Sequence, residues 1–301
     1  MLAKLLRTLI ATQVLLGAGI GWGLASWQGW PAWTAALFAV AMPFAVMVLV
    51  DTYSGIVSRA EEPVVAWLKS LFGEFQAGIV TFLFRQPWTT GTPTLLPGTG
   101  AVKRLPVLLV HGYMCNHRIW DDMADALRAQ GHDVLAVNLE PLFASIDKYA
   151  PILETAVQSL LHYSGQPQVA VIGHSMGGLA ARAWLRAHGA QHVARVITLG
   201  TPHAGTRIPQ HAPTPNGRQM AWGSEWLQQL HAHETPDTRS LFRLAITPQD
   251  NIVYPQRAQI LPGLTATVFE GIGHVQMCLN PAVIAWVKSE LESLPPPTVH
   301  P

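Results

Sequence analysis

Ser175 stands in Gly173-His174-Ser175-Met176-Gly177-Gly178, a G-x-S-x-G spacing that suits a serine nucleophile. Such a serine sits on a sharp turn between a strand and a helix, and the flanking glycines leave room where the two elements close up. A serine hydroxyl is a poor nucleophile at neutral pH. It needs a base, and the base needs a partner that fixes its tautomer and stabilises the imidazolium. His274, in Gly271-Ile272-Gly273-His274, is the expected base, and Asp250, in Pro248-Gln249-Asp250, the expected acid. Serine, acid and histidine then follow one another in the chain order this arrangement requires. Glu225, Glu234 and Asp237 are rival acids, but none follows a strand-like run. The chemistry also needs two backbone N–H groups for an oxyanion, expected from Met176 and from Tyr113 in the loop His111-Gly112-Tyr113. His174 is expected to support the turn. His203 precedes the acid in sequence and is expected on the pocket wall rather than as the base.

These loops need a scaffold. Apolar runs at 106–110, 133–139, 168–172, 193–199, 244–247 and 265–269 read as strands. Helical spacing recurs at 119–130, 145–163, 176–188 and 281–291. Strands alternating with helices predict a parallel sheet covered on both faces, joined by right-handed crossovers. Ligands then lie beyond the carboxyl ends of the strands, where the candidate loops fall. Residues 207–240 interrupt the alternation. Trp226, Leu227 and Leu230 form one apolar face there, so this segment reads as a cap or lid with Trp226 at the pocket, or else as a surface insertion.

Taken together, HGY at 111–113, GHSMGG at 173–178, TLGTPHAGT at 198–206, TPQDNIV at 247–253 and GIGH at 271–274 resemble the bacterial triacylglycerol lipase and esterase family. The resemblance covers about residues 105–292. It implies an α/β-hydrolase fold, a Ser175–His274–Asp250 triad and ester hydrolysis without a cofactor. Some members of that family bind calcium near the histidine loop. No acidic pair stands around 275–281 here, so no calcium is expected.

The remaining composition points to a membrane. Charged residues make up only 12% of the 301-residue chain, about half the usual share. Thr8 to Val50 contains no Asp, Glu, Lys, Arg or His, and Pro31 divides the run. As helices, 8–26 and 33–50 would each span about 27–28 Å, close to the hydrocarbon thickness of a bilayer. Trp27, Trp30 and Trp33 mark the turn between them, as suits a membrane surface. Two buried core helices and a cleaved signal segment ending near Ala25 are the competing readings. Lys4 and Arg7 precede the first span, and Arg59 and Lys69 follow the second, so the positive-inside rule puts both ends in the cytoplasm. This reading divides the chain into a two-helix anchor (1–55), an amphipathic helix and linker (56–104), a catalytic domain (105–294) and a tail (295–301). The amphipathic helix, at 63–84, is expected either at the membrane interface or packed on the catalytic domain.

A net charge of +1 argues against a nucleic-acid partner. No HExxH or CxxC occurs, so no metal site is expected. The two cysteines, Cys115 and Cys278, are too few for a disulfide scaffold and fall in loops at the same sheet edge. The expected partners are therefore an apolar ester or acyl lipid and the bilayer, at a bacterial inner membrane. Thioesterase, acyltransferase or polyester depolymerase chemistry would use the same triad, and a membrane-tethered binding protein is the non-enzymatic rival.

Overall fold

A computed structural model describes residues 1–89, 91–208 and 213–294; the expected tail at 295–301 lies outside them. Three helices come first: α1 (Leu2–Gln28), α2 (Trp33–Val57) and α3 (Val64–Gly78). The sheet follows, with β1 (Arg104–Val110), β2 (His132–Val137), β3 (Val169–His174), β4 (Val193–Leu199), β5 (Phe242–Ile246) and β6 (Ala266–Val268). All neighbours are parallel, in the order β2-β1-β3-β4-β5-β6. Helices α4 (Asp121–Ala129), α5 (Ala150–Ser164) and α6 (Met176–His188) make the early crossovers. The β4–β5 connection holds α7 (Pro215–Gln219), α8 (Glu225–Ala232) and α9 (Pro236–Ser240), and α10 (Pro281–Glu292) follows β6. Each strand read from the sequence is present within two residues of its expected start.

Both sheet faces are covered, which is why the central strands are continuous apolar runs rather than alternating ones. Successive side chains of a strand point to opposite faces. Leu108 and Val110 therefore join one core with Leu153, Leu179 and Trp184, while Val107 and Leu109 join the other with Trp120, Leu127 and Val287. The chain leaves β1 for β2 on one side and returns as β3 on the other. Loops from β1 and β3 diverge at that switch point and open a crevice at the carboxyl edge of the sheet.

Helices α1 and α2 form an antiparallel pair. Gly17 and Gly21 bring them close: a Cβ at Gly17 would lie 2.4 Å from the Phe38 carbonyl oxygen. Small residues serve the same purpose between helices in lipid. Only 17% of the most apolar window of each helix is buried, so neither is a core helix of the sheet domain. Both are long and apolar enough to cross a membrane. Leu15, Trp22, Trp27, Leu37 and Leu49 are exposed along their outer faces. Helix α2 runs past residue 50 and carries Asp51 and Ser54 onto the sheet domain, where Ser54 meets Asn251.

Helix α3 has its polarity reversed relative to a helix on a water-soluble domain. Its buried face holds Ser70, Gly73, Glu74 and Ala77, whereas Val64, Val65, Leu68 and Phe72 are exposed. It passes at Ile79 into a wider π-helical stretch ending at Arg85, whose guanidinium pairs with Asp122 through two hydrogen bonds of 2.8 and 2.9 Å.

Candidate active site

Ser175 lies between β3 and α6 with φ 54° and ψ −127°. A non-glycine residue in such a conformation costs roughly 1–3 kcal/mol and persists only where its surroundings enforce it. The Ser175 N–H donates to the Leu199 carbonyl at 2.9 Å, tying the turn to β4. Gly177 passes so close to β1 that a Cβ would lie 2.1 Å from the Val110 carbonyl oxygen. Met176 is the first residue of α6, where backbone N–H groups have no intrahelical acceptor.

Asp250 and His274 meet in the loops after β5 and β6. A carboxylate only accepts, so His274 Nδ1–H donates to Asp250 Oδ2, at 2.8 Å. Asp250 Oδ1 accepts from the N–H groups of Ile252 (2.9 Å) and Val253 (2.6 Å). Both side chains are buried. Burial alone would push the His274 pKa down. The charge and hydrogen bond of Asp250, with the charge of Glu74, more than offset this and raise it. His174 Nε2 donates to the His274 carbonyl at 3.0 Å, and burial beside His274 keeps it neutral. His111 Nε2 accepts from Leu139 N–H, which leaves its Nδ1–H for the Gly112 carbonyl. Burial lowers its pKa to about 4. Among the described residues no hydrogen bond joins Ser175 Oγ to His274. Bonds of this kind often tighten only when substrate is bound.

Ser175 and His274 line one cavity of about 420 Å³ together with Tyr113, Met114 and Cys115. Its opposite wall comes from the N-terminal region: Val46, Met47, Val50 and Asp51 of α2, Glu74 and Gly78 of α3, and Phe82. The two remaining candidates lie elsewhere. His203 is buried against Thr198 and Arg182, where burial and the Arg182 charge push its pKa well below the ordinary value. Trp226 donates its indole N–H to Asp147 at 2.9 Å. Neither lines the cavity, nor does any described residue of 207–240. Instead, Leu227 and Leu230 of α8 are buried in the core.

Three polar residues beside the site were not singled out from the sequence: Glu74, Asn251 and Ser54. Asn251 accepts from His274 N–H at 3.3 Å and donates to Ser54 Oγ of α2 at 3.1 Å. Gln256, farther along the acid loop, donates both to the Ser58 carbonyl and to the Asp250 carbonyl. Glu74 interrupts an apolar repeat, a signal that ordinarily marks a solvent-facing position. Cys115 and Cys278 are buried and unlinked, and burial pushes the Cys115 thiol up to about 12. Among the described residues no group of three His, Cys, Asp or Glu could hold a metal ion.

A sequence model described as the alpha/beta hydrolase fold matches residues 106–243. Over 119 residues the chain is 36% identical to a triacylglycerol lipase of Pseudarthrobacter phenanthrenivorans and to one of Burkholderia plantarii. That stretch is 36% of this chain and 37% and 33% of those proteins, so the chain spans about a third of the length of these curated relatives. The mature lipase BlEst2 of Bacillus licheniformis superposes with a TM-score of 0.58 at 18% identity, covering 67% of this chain and 99% of that one. Aspergillus fumigatus lipase B gives 0.55 at 19% identity, over 64% of this chain and 54% of that one. These structures share the α/β-hydrolase fold, and the sequence similarity of the chain lies with that fold's family model over 106–243 and with the two triacylglycerol lipases.

Proposed function

We propose that this protein is a membrane-anchored serine hydrolase that cleaves an apolar acyl ester through an acyl-enzyme. The observation that carries this reading is His274, hydrogen-bonded to the buried Asp250 and lining one largely apolar cavity together with the strained Ser175. His274 Nε2 takes the Ser175 proton as Oγ attacks the ester carbonyl, and the N–H groups of Met176 and Tyr113 receive the oxyanion. The imidazolium then protonates the leaving alcohol. In the second half-reaction His274 deprotonates water, which releases the acid and frees Ser175. Asp250 holds the tautomer throughout and stabilises the imidazolium. No cofactor takes part.

The acyl chain occupies the cavity of about 420 Å³, within the usual range for small-molecule sites. The apolar outer faces of α1, α2 and α3 support an anchor lying across and along the bilayer. Lys4, Arg7, Arg59 and Lys69 favour an inner-membrane orientation with the catalytic domain in the cytoplasm. A fluorophosphonate probe tests the chemistry: it should label the folded wild type and not Ser175→Ala. No labelling of the wild type, or equal labelling of both, sinks the proposal. Protease protection in sealed inverted and right-side-out vesicles reads the orientation.

A further inference from the structure

Glu74 is a buried carboxylate that the acyl-transfer scheme leaves without a task. It is 3% exposed and lies on α3, outside the stretch matched by the hydrolase family. Its two oxygens receive consecutive backbone N–H groups directly after the proposed base: Val275 N–H donates to Oε1 at 2.9 Å and Gln276 N–H to Oε2 at 3.0 Å. The approach is close because position 273 is glycine; a Cβ there would lie 2.5 Å from Glu74 Oε2. Gln276 locks the same contact from the other side, packing over Gly73 and accepting from Gly273 N–H at 3.0 Å.

We infer that Glu74 is a positioning residue for His274, through its grip on the 275–276 backbone and its negative charge beside the imidazole. This rests on reading Ser175 and His274 as nucleophile and base. Two oxygens receiving two N–H groups is a pattern a carboxylate satisfies and an amide does not, because an amide would turn one N–H toward another. The charge acts in the same direction as Asp250, favouring the imidazolium formed during turnover. Burial raises the Glu74 pKa to about 7, against the lowering influence of His274 and of the two N–H groups. The other titratable groups facing this pair are Asp250, His174, Asp51 of α2, Cys115 and Cys278, with Lys69 of α3 against Gly271. Burial keeps both thiols neutral in the working range.

The test uses the full chain in detergent micelles with p-nitrophenyl butyrate. Glu74→Gln should lower kcat about 10-fold or more with KM changed by less than about twofold, as misplacement of a catalytic group does. The acid limb of its kcat/KM profile should move to lower pH, because removing a negative charge makes the His274 imidazolium easier to deprotonate. Glu74→Asp keeps the charge but shortens the reach, so kcat should fall while the limb stays in place. A folded Glu74→Gln with an unmoved limb, or with turnover within about twofold of the wild type, overturns the role. If Glu74→Gln fails to fold, Glu74→Asp decides, and wild-type turnover in it overturns the role as well. Fluorophosphonate labelling separates the two readings. A labelled wild type with indifferent Glu74 variants removes Glu74's part alone, whereas an unlabelled wild type removes the hydrolase reading and this role with it.

Discussion

His274 is held in one tautomer by Asp250, and on the proposed mechanism the pH behaviour of turnover follows from that pair. The base works when neutral, so kcat/KM should fall as pH drops through the His274 pKa. That pKa is raised from 6.5, so the midpoint of the acid limb belongs above 6.5. A midpoint below that value in a profile of p-nitrophenyl butyrate hydrolysis would contradict the assignment. Asp250→Asn keeps the shape but lets the imidazole adopt the wrong tautomer, and a loss of about 10⁴-fold in kcat is expected. Steady-state kinetics on the purified full chain checks it. At this scale the sequence was highly informative: Ser175, Asp250 and His274 were each legible from a short motif at a strand end. Their distances were not, nor was the separation of His203 and Trp226 from the cavity. His203 follows a strand in a loop just like the others, and only the course of that loop turns it toward Arg182.

Helix α2 contributes the wall that an acyl chain would meet, and chain-length preference should therefore be set there. Val50→Trp fills part of the cavity, so the optimum in a p-nitrophenyl ester series should move to shorter acyl chains. Trp226→Ala removes an indole hydrogen bond to Asp147 on another face of the domain and should leave that optimum unchanged. Its effect should appear as a stability loss of about 1–2 kcal/mol. The opposite pattern would return the wall to the segment at 207–240. The strands and long helices were readable because period and length are local properties. The short α7 and α9, five residues each, were not, since so short a helix carries too few residues to show a period.

Across the whole molecule, the N-terminal helices are tied by hydrogen bonds to the loops that carry the candidate acid and base, and on the proposed function they belong to the catalytic unit. Ser54 holds Asn251, the Ser58 carbonyl holds Gln256, and Glu74 holds Val275 and Gln276. A variant lacking residues 1–62 should therefore lose kcat/KM by about 10²-fold even on a water-soluble ester, the scale set by a displacement of about 1 Å. Full activity in that variant would show that the helices only anchor. Stability should also depend on pH in a definite direction. His111, His174 and His203 are buried and neutral, with pKa values pushed below 6.5 by burial. Below pH 6.5 the unfolded chain gains protons the folded one does not, so their contribution is complete above 6.5 and lost as pH falls toward about 4. Glu74 runs the other way: its pKa is raised from 4.5 to about 7, so it favours the folded state increasingly as pH falls through 7. His274, raised from 6.5, acts with Glu74, whereas His117 and His132 are lowered by burial like the other three. Five groups therefore stand against two, and the thermal midpoint in micelles should be lower at pH 5 than at pH 7.5.

By itself the sequence determined the sheet, the order of its strands along the chain, the turn that presents Ser175 and the two loops that bring Asp250 and His274 together. Each of these depends on apolar period, glycine spacing or position after a strand, all of which are written within a dozen residues. The tertiary structure alone decided what faces the serine. The contact between Glu74 and Val275 joins positions 201 apart, and that between Ser54 and Asn251 positions 197 apart. No local pattern encodes such pairings; they arise because α2 and α3 pack on the carboxyl edge of the sheet. That packing turns two N-terminal helices into a cavity wall, and it buries a carboxylate that the sequence pattern alone would have left in solvent.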